Sequence, residues 1–479
     1  MNTSEWIAHL LRGDRDRPAV KYEGRMYDWG YLAGIAESLD RHLIDHGIPP
    51  GQTVGLILRE RPEPVAALYG LLATTRPVLL IAPLQPDSAI ADDVRGHPLA
   101  ALVADRTDWA RDGLAEASSA TGALGLELTA DPDAPIRIAV EGDPAASERY
   151  ELPAGTAATL LTSGTTGVPK RIPVTYDDLD ERFVDRRPSK GGVTINSLPL
   201  VSVGGFFGVV GTAVRQRPIA LMDRFDVWKW AELIRDHRPR RIGAPPAVIP
   251  MLLAANIPNE YFESVELYLT ASAPLDIDAA DRFTERYGIP VLQGYGATEF
   301  HGAVAGWSDS DQETWGRQKR ASVGRPIPGV QLKVVDPDSG EELGTDEVGR
   351  LLVWRDVATS GGRQWTATND LARVDADGFL WIVGRTDDVI IRGGFKVQPG
   401  KVEELLSSHP GVHMAAVVGI ADERLGEVPV AAVVADEDVD LDELVALTKE
   451  KLPPYQVPAR ITRIDEMPLN SMMKVNRHA

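Results

Sequence analysis

Short apolar runs and helix-period segments alternate through the first four-fifths of the chain. Residues 31–46 and 64–75 repeat apolar side chains with the period of a helix, and residues 54–59 and 79–83 are apolar runs of strand length. Strands that are separated by helices usually pair in parallel within a covered sheet. The pattern therefore predicts an α/β fold built mostly on parallel sheets.

The pattern changes toward the C-terminus. Residues 330–336, 348–354 and 379–383 are strand-like and are separated by turn residues, which predicts a β-rich subdomain. A new succession of helix and strand follows residue 385. A chain of 479 residues is long enough for more than one core. We expect a large N-terminal domain, residues 1–386, with two α/β subdomains plus the β-rich subdomain, and a small C-terminal α+β domain, residues 387–479.

The charge and the cysteine content exclude several classes of function. The 50 Lys and Arg residues stand against 70 Asp and Glu residues, a net charge of −20, which argues against a nucleic-acid or anionic-membrane binder. Since there is no cysteine, a disulfide framework, a thiolate metal site and a cysteine nucleophile are excluded. The apolar runs are far shorter than the about 20 residues that span a bilayer, and the N-terminus is unlike a signal peptide. We expect no membrane insertion and a cytoplasmic location.

The strongest local signal is a loop rich in glycine and hydroxyl side chains after an apolar strand. Glycine allows successive backbone N–H groups to turn toward one point, and the hydroxyl groups and a lysine add further donors for an anion. The loop lacks the Gly-Lys-Ser/Thr ending of a Walker A motif, and an ordinary surface loop is the alternative interpretation. The residues predicted to bind an anion are Thr162, Ser163, Gly164, Thr165, Thr166, Gly167 and Lys170.

Further motifs follow this loop in a fixed order. Residues 293–299 read Gln-Gly-Tyr-Gly-Ala-Thr-Glu, residues 368–370 read Thr-Asn-Asp, and residues 384–388 read Gly-Arg-Thr-Asp-Asp. Residues 391–399 contain a paired glycine, and Lys474 lies six residues after Pro468. In this order the motifs resemble the acyl-adenylate-forming superfamily, which contains acyl-CoA synthetases, the adenylation domains of nonribosomal peptide synthetases and beetle luciferases.

The resemblance implies ATP, Mg²⁺ and CoA as cofactors and assigns a role to each motif. Lys474 would bridge the acyl carboxylate and the α-phosphate, Thr298 would bind the α-phosphate, and Glu299 would hold Mg²⁺. Asp370 would accept hydrogen bonds from the ribose, with help from Arg385. The residues implied at adenine are Tyr295, Gly294, Ser272, Ala273 and Pro274.

The resemblance also implies a second half-reaction. In this superfamily the C-terminal domain rotates about a hinge residue, here Asp387 or Asp388, and the catalytic lysine leaves while a glycine loop enters. That loop would line the path of CoA with Gly393, Gly394 and Phe395. The residues implied around the acid substrate are Ser202, Phe206, Phe207, Ala271, Gly296 and His301.

Four positions depart from the superfamily pattern. Asn369 and Met473 replace glycines, the second one directly before Lys474. Lys401 replaces a glutamate, and Ser202 replaces a histidine. One hypothesis is an enzyme that is poor at adenylation and accepts a preformed acyl-adenylate for thioesterification. Neutral variation is the interpretation that we favour.

The leading functional prediction is an acyl-CoA ligase, an ATP-dependent acid–thiol ligase. Residues 203–211 contain no acidic side chain that could bind an α-ammonium group, so we expect an apolar acid that is aromatic, alicyclic or fatty. The alternatives are an adenylating enzyme that loads a carrier protein, an oxygenase of the luciferase kind, and a nucleotide-binding module without catalysis. The partners implied are the acid, ATP and CoA, with no nucleic acid; a homodimer is left open.

Overall fold

The computed structural model describes residues 1–143, 149–161, 170–184, 191–355, 365–386, 388–393, 395–422, 424–470 and 474–477. These residues form two compact units, one within residues 1–239 and the other within residues 240–477. The boundary expected between residues 386 and 387 remains a prediction.

The first unit contains the alternation of helix and strand that the sequence predicts. Its helices are α1 (Thr3–Arg12), α2 (Trp29–Asp45), α3 (Pro62–Ala73), α4 (Asp87–Gly96), α5 (Arg106–Trp109), α6 (Leu114–Ala120), α7 (Tyr176–Arg182), α8 (Val203–Val214) and α9 (Val227–His237). Its strands are β1 (Pro18–Tyr22), β2 (Arg25–Asp28), β3 (Val54–Ile57), β4 (Val78–Ile81), β5 (Ala101–Asp105), β6 (Leu124–Leu128), β7 (Ile136–Val140), β8 (Thr156–Leu161), β9 (Arg171–Thr175), β10 (Thr194–Ile195) and β11 (Ile219–Ala220).

A seven-stranded sheet in the order β7-β6-β5-β3-β4-β8-β9 forms the centre of this unit, as far as the described residues show. The five inner strands, β6, β5, β3, β4 and β8, pair in parallel. The edge strands β7 and β9 are antiparallel to their neighbours. All residues of β3 and β4 are buried, because helices cover both faces of such a sheet. A smaller sheet has the order β10-β11-β1-β2.

The second unit carries most of the predicted nucleotide motifs. Its helices are α10 (Val248–Ala254), α11 (Ile277–Tyr287), α12 (Asp309–Trp315), α13 (Pro399–Ser407) and α14 (Leu441–Lys451), with short 3₁₀ helices at Asn259–Phe262 and Thr298–Phe300. Its strands are β12 (Arg241–Gly243), β13 (Leu267–Thr270), β14 (Val291–Gln293), β15 (Tyr295–Ala297), β16 (Gly302–Gly306), β17 (Arg325–Pro326), β18 (Val330–Val335), β19 (Gly349–Arg355), β20 (Trp365–Val374), β21 (Leu380–Arg385), β22 (Ile390–Arg392), β23 (Phe395–Val397), β24 (Val412–Asp422), β25 (Gly426–Ala435) and β26 (Arg460–Arg463).

Four sheets organise the described residues of this unit. Strands β12-β13-β14 pair in parallel, and β15-β16-β17 form a small antiparallel sheet next to them in sequence. Strands β18-β19-β20-β21 form the antiparallel sheet that the turn-rich segment predicts. Strands β22 to β26 form a separate sheet, with its own apolar core against α13 and α14.

The predicted elements agree in type with the structure and differ at their ends. The helix predicted at residues 64–75 begins earlier, at Pro62, because proline in the first turn loses no hydrogen bond. The apolar run at residues 415–420, which also predicts a strand, lies within a longer one, Val412–Asp422, because this strand pairs along its length with β25. Among the described residues, no helix combines the length and the apolar character needed to cross a membrane.

Candidate active site

The carboxyl ends of β13 and β14 bring two predicted motifs together. These strands are parallel neighbours, so the segments that follow them emerge at the same edge of the sheet. The N–H of Gly294 donates a hydrogen bond to the carbonyl oxygen of Thr270 at 2.8 Å. The side-chain amide of Gln293 donates to the carbonyl oxygen of Ala273 at 2.6 Å. The segment 271–274, which includes the residues predicted to contact adenine, therefore lies beside the motif that begins at Gln293.

Gly296 lets this motif pair closely with the next strand. A Cβ atom on Gly296 would lie 2.2 Å from the carbonyl oxygen of Gly302, which is too close for any side chain. Strands β15 and β16 can pair only because this position has none. The pairing places Tyr295 before the glycine and Thr298 after it, at the start of a 3₁₀ helix.

Two predicted site residues have unusual backbone conformations. Ser272 has φ 78° and His301 has φ 50°, in the left-handed region that residues other than glycine seldom adopt. His301 is also buried, with 3% of its surface exposed. Strained backbone of this kind concentrates at binding and catalytic sites, where the surrounding structure imposes it.

Tyr295, Asp370 and Arg385 form a polar cluster. The hydroxyl of Tyr295 donates a short hydrogen bond to Oδ2 of Asp370. Arg385 lies directly opposite Asp370 in the β20–β21 pairing, and its Nη1 is 3.4 Å from Oδ1. Burial, and then the charge of Asp370, raise the pKa of Tyr295 above its ordinary value. The carboxylate is thus held by its neighbours with acceptor capacity remaining, as a ribose site requires.

Lys474 lies near this cluster. Burial lowers the pKa of Lys474, and the positive charge of Arg385 lowers it further, whereas Glu299 and Asp370 act in the opposite direction. Arg385, Glu299 and Asp370 are thus the charges that act on the Lys474 ammonium group. A partly desolvated ammonium between carboxylates is suited to stabilise negative charge that develops in a reaction.

Glu299 and Thr298 stand at the accessible side of the motif. Glu299 is exposed and Thr298 is half-buried. Among the described residues, no group of three or more His, Cys, Asp or Glu side chains could hold a metal ion by itself. One exposed carboxylate still fits Mg²⁺, since this ion is commonly held by one or two carboxylates together with substrate phosphates and water.

The acid-side residues Ser202, Phe206 and Phe207 lie in the first unit. Ser202 caps α8: its hydroxyl accepts a hydrogen bond from the N–H of Gly205 at 3.1 Å and donates to the carbonyl oxygen of Pro199 at 2.6 Å. Phe206 and Phe207 are buried, with their rings 5.5 Å apart in an edge-to-face contact. They form an apolar region at the start of this helix.

Other predicted residues lie at the edge of the described part or outside it. Lys170 is exposed and directly precedes β9. Gly393 has φ 56°, and Phe395 is 58% exposed and stacks on Tyr455 with the ring centres 4.9 Å apart. The residues outside the described part are Thr162, Ser163, Gly164, Thr165, Thr166, Gly167, Gly394, Asp387 and Met473.

Sequence reasoning missed two further features. Glu60 is 7% exposed, and its Oε1 accepts a hydrogen bond from the N–H of Leu200, two residues before Ser202, at 2.8 Å. Arg477 forms ion pairs with Asp388 and Glu403. The sequence signal for Glu60 was its place directly after an apolar strand. The signal for Arg477 was its closeness to Lys474 in the sequence.

Comparison with protein families gives two matches. Residues 8–361 match the family model described as AMP-binding enzyme, and residues 401–474 match the model of the AMP-binding enzyme C-terminal domain. The first match alone covers well over half of the chain.

Characterised relatives extend over the full length. The chain is 26% identical to a 2-succinylbenzoate–CoA ligase of Bacillus pumilus over 492 residues, covering 100% of this chain and 97% of the relative. It is 27% identical to an indoleacetate–CoA ligase of Aromatoleum aromaticum over 518 residues, covering 100% of this chain and 97% of the relative.

Solved structures agree with the fold. The ATP-bound MatB of Rhodopseudomonas palustris is 25% identical, with a TM-score of 0.80 and coverage of 99% of this chain and 97% of that one. The MenE o-succinylbenzoate CoA synthetase of Bacillus subtilis, in complex with its acyl-adenylate, is 24% identical, with a TM-score of 0.77 and coverage of 98% and 96%. The predicted fold class, a large α/β N-terminal domain with a small C-terminal α+β domain, is confirmed.

Proposed function

Because the chain belongs to the AMP-binding enzyme family, we propose that it joins an apolar carboxylic acid to CoA through an acyl-adenylate. The superfamily predicted from the motifs is confirmed, and so is the class of enzyme, an ATP-dependent acid–thiol ligase that uses CoA. The use of Mg²⁺ belongs to the proposal. The identity of the acid, the rotation about Asp387 and the roles of single residues belong to the proposal.

The observation that carries the proposal is the cluster of Tyr295, Asp370 and Arg385 next to Lys474. Asp370 offers carboxylate oxygens to the ribose hydroxyls, and Tyr295 supplies an aromatic ring beside the backbone of residues 271–274. Lys474 adds a positive charge near the same carboxylate. A nucleotide held by the ribose in this way would present its α-phosphate to Thr298 and Lys474.

The first half-reaction needs charge neutralisation more than covalent help. An oxygen of the acid attacks the α-phosphorus of ATP, the bond to the β-phosphate oxygen breaks, and pyrophosphate leaves with the electron pair. Lys474 would neutralise the two anions as they approach, and Thr298 would orient the α-phosphate by hydrogen bonding. Glu299 is the residue that would hold Mg²⁺, which supplies further neutralisation of the phosphates when bound.

In the second half-reaction the thiol sulfur of CoA attacks the acyl carbonyl carbon. The bond to the adenylate oxygen breaks, AMP leaves, and the thiol proton is lost to solvent. A rotation of the C-terminal domain about Asp387 would remove Lys474 and bring Gly393 and Phe395 to the path of CoA. The positive φ of Gly393 and the exposed ring of Phe395 support a role at that surface.

The proposed acid is apolar in its body. Residues 203–211 carry no acidic side chain, and the buried rings of Phe206 and Phe207 make the start of α8 apolar. The relatives named above are ligases of acids with aromatic rings, which supports the same class for this chain.

The proposal is tested with a panel of acids in the presence of ATP, Mg²⁺ and CoA. The panel is 2-succinylbenzoate, indoleacetate, 4-coumarate, benzoate, cyclohexanecarboxylate and octanoate, and mass spectrometry scores adenylate and thioester separately. At least one acid should release pyrophosphate and form its thioester at equal rates, and its adenylate should be detected when CoA is left out. If no acid releases pyrophosphate, the proposal is wrong.

Two variants connect the activity with the cluster. Asp370→Ala should lower adenylate formation by about 10²–10³-fold, as the loss of a preorganised polar group does. Asp346→Ala is the matched control, since Asp346 pairs with Arg373 in the same antiparallel region but at an exposed position. Equal effects of the two substitutions would contradict the proposed role of Asp370.

The alternatives remain predictions that the same assays separate. A thioesterification enzyme would convert a supplied acyl-adenylate without releasing pyrophosphate from ATP. The position of Lys474 beside Asp370 and Arg385 supports full adenylation instead. A carrier-loading enzyme would transfer the acyl group to a phosphopantetheinylated carrier and leave CoA unmodified.

A further inference from the structure

Lys474 lies where the chain folds back, so that residues 474 and 476 hydrogen-bond to residues 470 and 468. The N–H of Asn470 donates to the carbonyl oxygen of Lys474 at 2.7 Å, and the N–H of Lys474 donates to Oδ1 of Asn470 at 3.1 Å. The N–H of Asn476 donates to the carbonyl oxygen of Pro468 at 2.7 Å. Among the described residues after β26, this segment belongs to no helix or named strand. Its position therefore depends on these hydrogen bonds and on side-chain contacts.

Arg477 provides the strongest of these side-chain contacts. Its Nη1 lies 2.8 Å from Oδ2 of Asp388, and its Nη2 lies 2.8 Å and 2.9 Å from the two carboxylate oxygens of Glu403. The side chain of Arg477 is 27% exposed and that of Glu403 is 14% exposed, so water screens the pair only in part. A planar guanidinium between two carboxylates fixes direction as well as distance.

The two partners of Arg477 are themselves held. Glu403 belongs to α13, and its Oε1 also accepts a hydrogen bond from the N–H of Val417 on β24 at 2.8 Å. Asp388 is, with Asp387, one of the two residues predicted for the hinge, and it precedes β22. Arg477 therefore ties the end of the chain to a helix, to a strand and to the segment where the C-terminal sheet begins.

Lys474 needs such an anchor because its position is unfavourable for a lysine by itself. The ammonium group is partly desolvated and Arg385 repels it, and the charges of Glu299 and Asp370 offset these costs only in part. A flexible lysine on a loose segment would turn toward solvent and avoid both costs. Three residues span at most about 10 Å, so fixing Arg477 limits where the backbone of Lys474 can go.

We propose that Arg477, through Asp388 and Glu403, is a positioning residue that holds Lys474 beside Asp370 for adenylation. The consequence for catalysis rests on the proposed function, in which Lys474 acts in the first half-reaction. Because Asp388 belongs to the predicted hinge, the same contact links the placement of the lysine to the segment that would rotate.

Separate assays of the two half-reactions test the catalytic consequence. Arg477→Gln should lower adenylate formation by about 10- to 100-fold, since a small misplacement of a catalytic group has effects of this size. Thioester formation from chemically synthesised benzoyl-adenylate and CoA, or the adenylate of whichever panel acid reacts, should stay within about threefold, as for Lys474→Ala. Arg477→Lys, which keeps one ion pair, should recover part of the adenylation rate. A general loss of structure would lower both half-reactions together.

Arg463→Gln is the matched control for these variants. Arg463 donates to the carbonyl oxygens of Glu437 and Val439 and so anchors the same C-terminal sheet through bonds that, among the described residues, do not involve the segment of Lys474. Its replacement should leave the ratio of the two half-reaction rates unchanged. An equal effect of Arg463→Gln and Arg477→Gln on that ratio would overturn the proposal.

Chemical labelling of Lys474 tests the positioning without any acid substrate. Acetylation with N-hydroxysuccinimidyl acetate over a range of pH, measured on the C-terminal peptide by mass spectrometry, reports the titration midpoint of the lysine. In the wild type the midpoint should lie below that of an ordinary lysine, and in Arg477→Gln it should rise toward the ordinary value. An unchanged midpoint in a folded Arg477→Gln protein would refute the positioning role. A shifted midpoint in a protein that activates no acid would instead count against the proposed function alone.

Discussion

Glu60→Gln should make the protein more stable above neutral pH. Glu60 lies directly after the buried strand β3, with 7% of its surface exposed, and accepts a hydrogen bond from the N–H of Leu200. Burial, reinforced by the nearby charge of Asp223, raises the pKa of Glu60 from 4.5 to about 7, although the Leu200 hydrogen bond and Arg59 act in the opposite direction. A glutamine keeps an acceptor for Leu200 and never has to carry a buried charge.

The size of the effect follows from the difference between the two pKa values. A shift from 4.5 to about 7 corresponds to about 3 kcal/mol of unfolding free energy. Between these pH values the folded protein holds the proton of Glu60 while the unfolded chain releases it. The unfolding free energy of the wild type therefore falls as pH rises through this window. The full cost of burying the carboxylate is present above about pH 7.

Urea unfolding of the wild type and of Glu60→Gln at several pH values from about 5 to 8 measures the effect. The stability advantage of the variant should grow with pH, to about 3 kcal/mol at the upper end. Glu37→Gln is the matched control: Glu37 forms an exposed ion pair with Arg15, and its replacement should change stability by less than about 0.5 kcal/mol. A constant difference between wild type and Glu60→Gln across the range would refute the reasoning.

Three other substitutions test separate contacts. Asp108→Ala should cost about 3–5 kcal/mol of unfolding free energy in urea titrations. The buried guanidinium of Arg59 would lose the carboxylate to which it donates two hydrogen bonds, of 2.6 and 2.7 Å. A cost near zero would contradict this. Gly205→Ala should cost about 1–3 kcal/mol, since its Cβ would lie 2.1 Å from the carbonyl oxygen of Pro199, and it should alter the ranking of acids in the panel. Phe395→Ala should raise KM for CoA and leave pyrophosphate release unchanged, and an effect confined to pyrophosphate release would exclude a role of that ring in CoA binding.

Part of the candidate site could be predicted because its chemistry restricts the residue types. Tyr295, Glu299, Asp370 and Lys474 belong to motifs in a recognisable order, and that order is enough to indicate the superfamily. The alternation of apolar and helix-period segments gave the α/β class for the same reason, since each period corresponds to one kind of backbone. Element ends were less accurate because pairing, as between β24 and β25, decides how far a strand extends.

Other features could not be predicted because they depend on contacts between distant parts of the chain. Glu60 and Leu200 are 140 positions apart, and Arg477 and Asp388 are 89 positions apart. A charged residue in the sequence is normally solvated, and nothing local distinguishes these from the many others.

The amino-acid sequence alone thus determined the superfamily and the α/β class, and it supplied the candidate residues for binding a nucleotide and an acid. Only the tertiary structure decided which of the charges are buried and paired: the hydrogen bond of Tyr295 to Asp370, the anchoring of Arg477 and the raised pKa of Glu60. The physical reason is that residue type sets what a side chain can do, whereas burial and neighbours set its energy, and these exist only after the chain has folded.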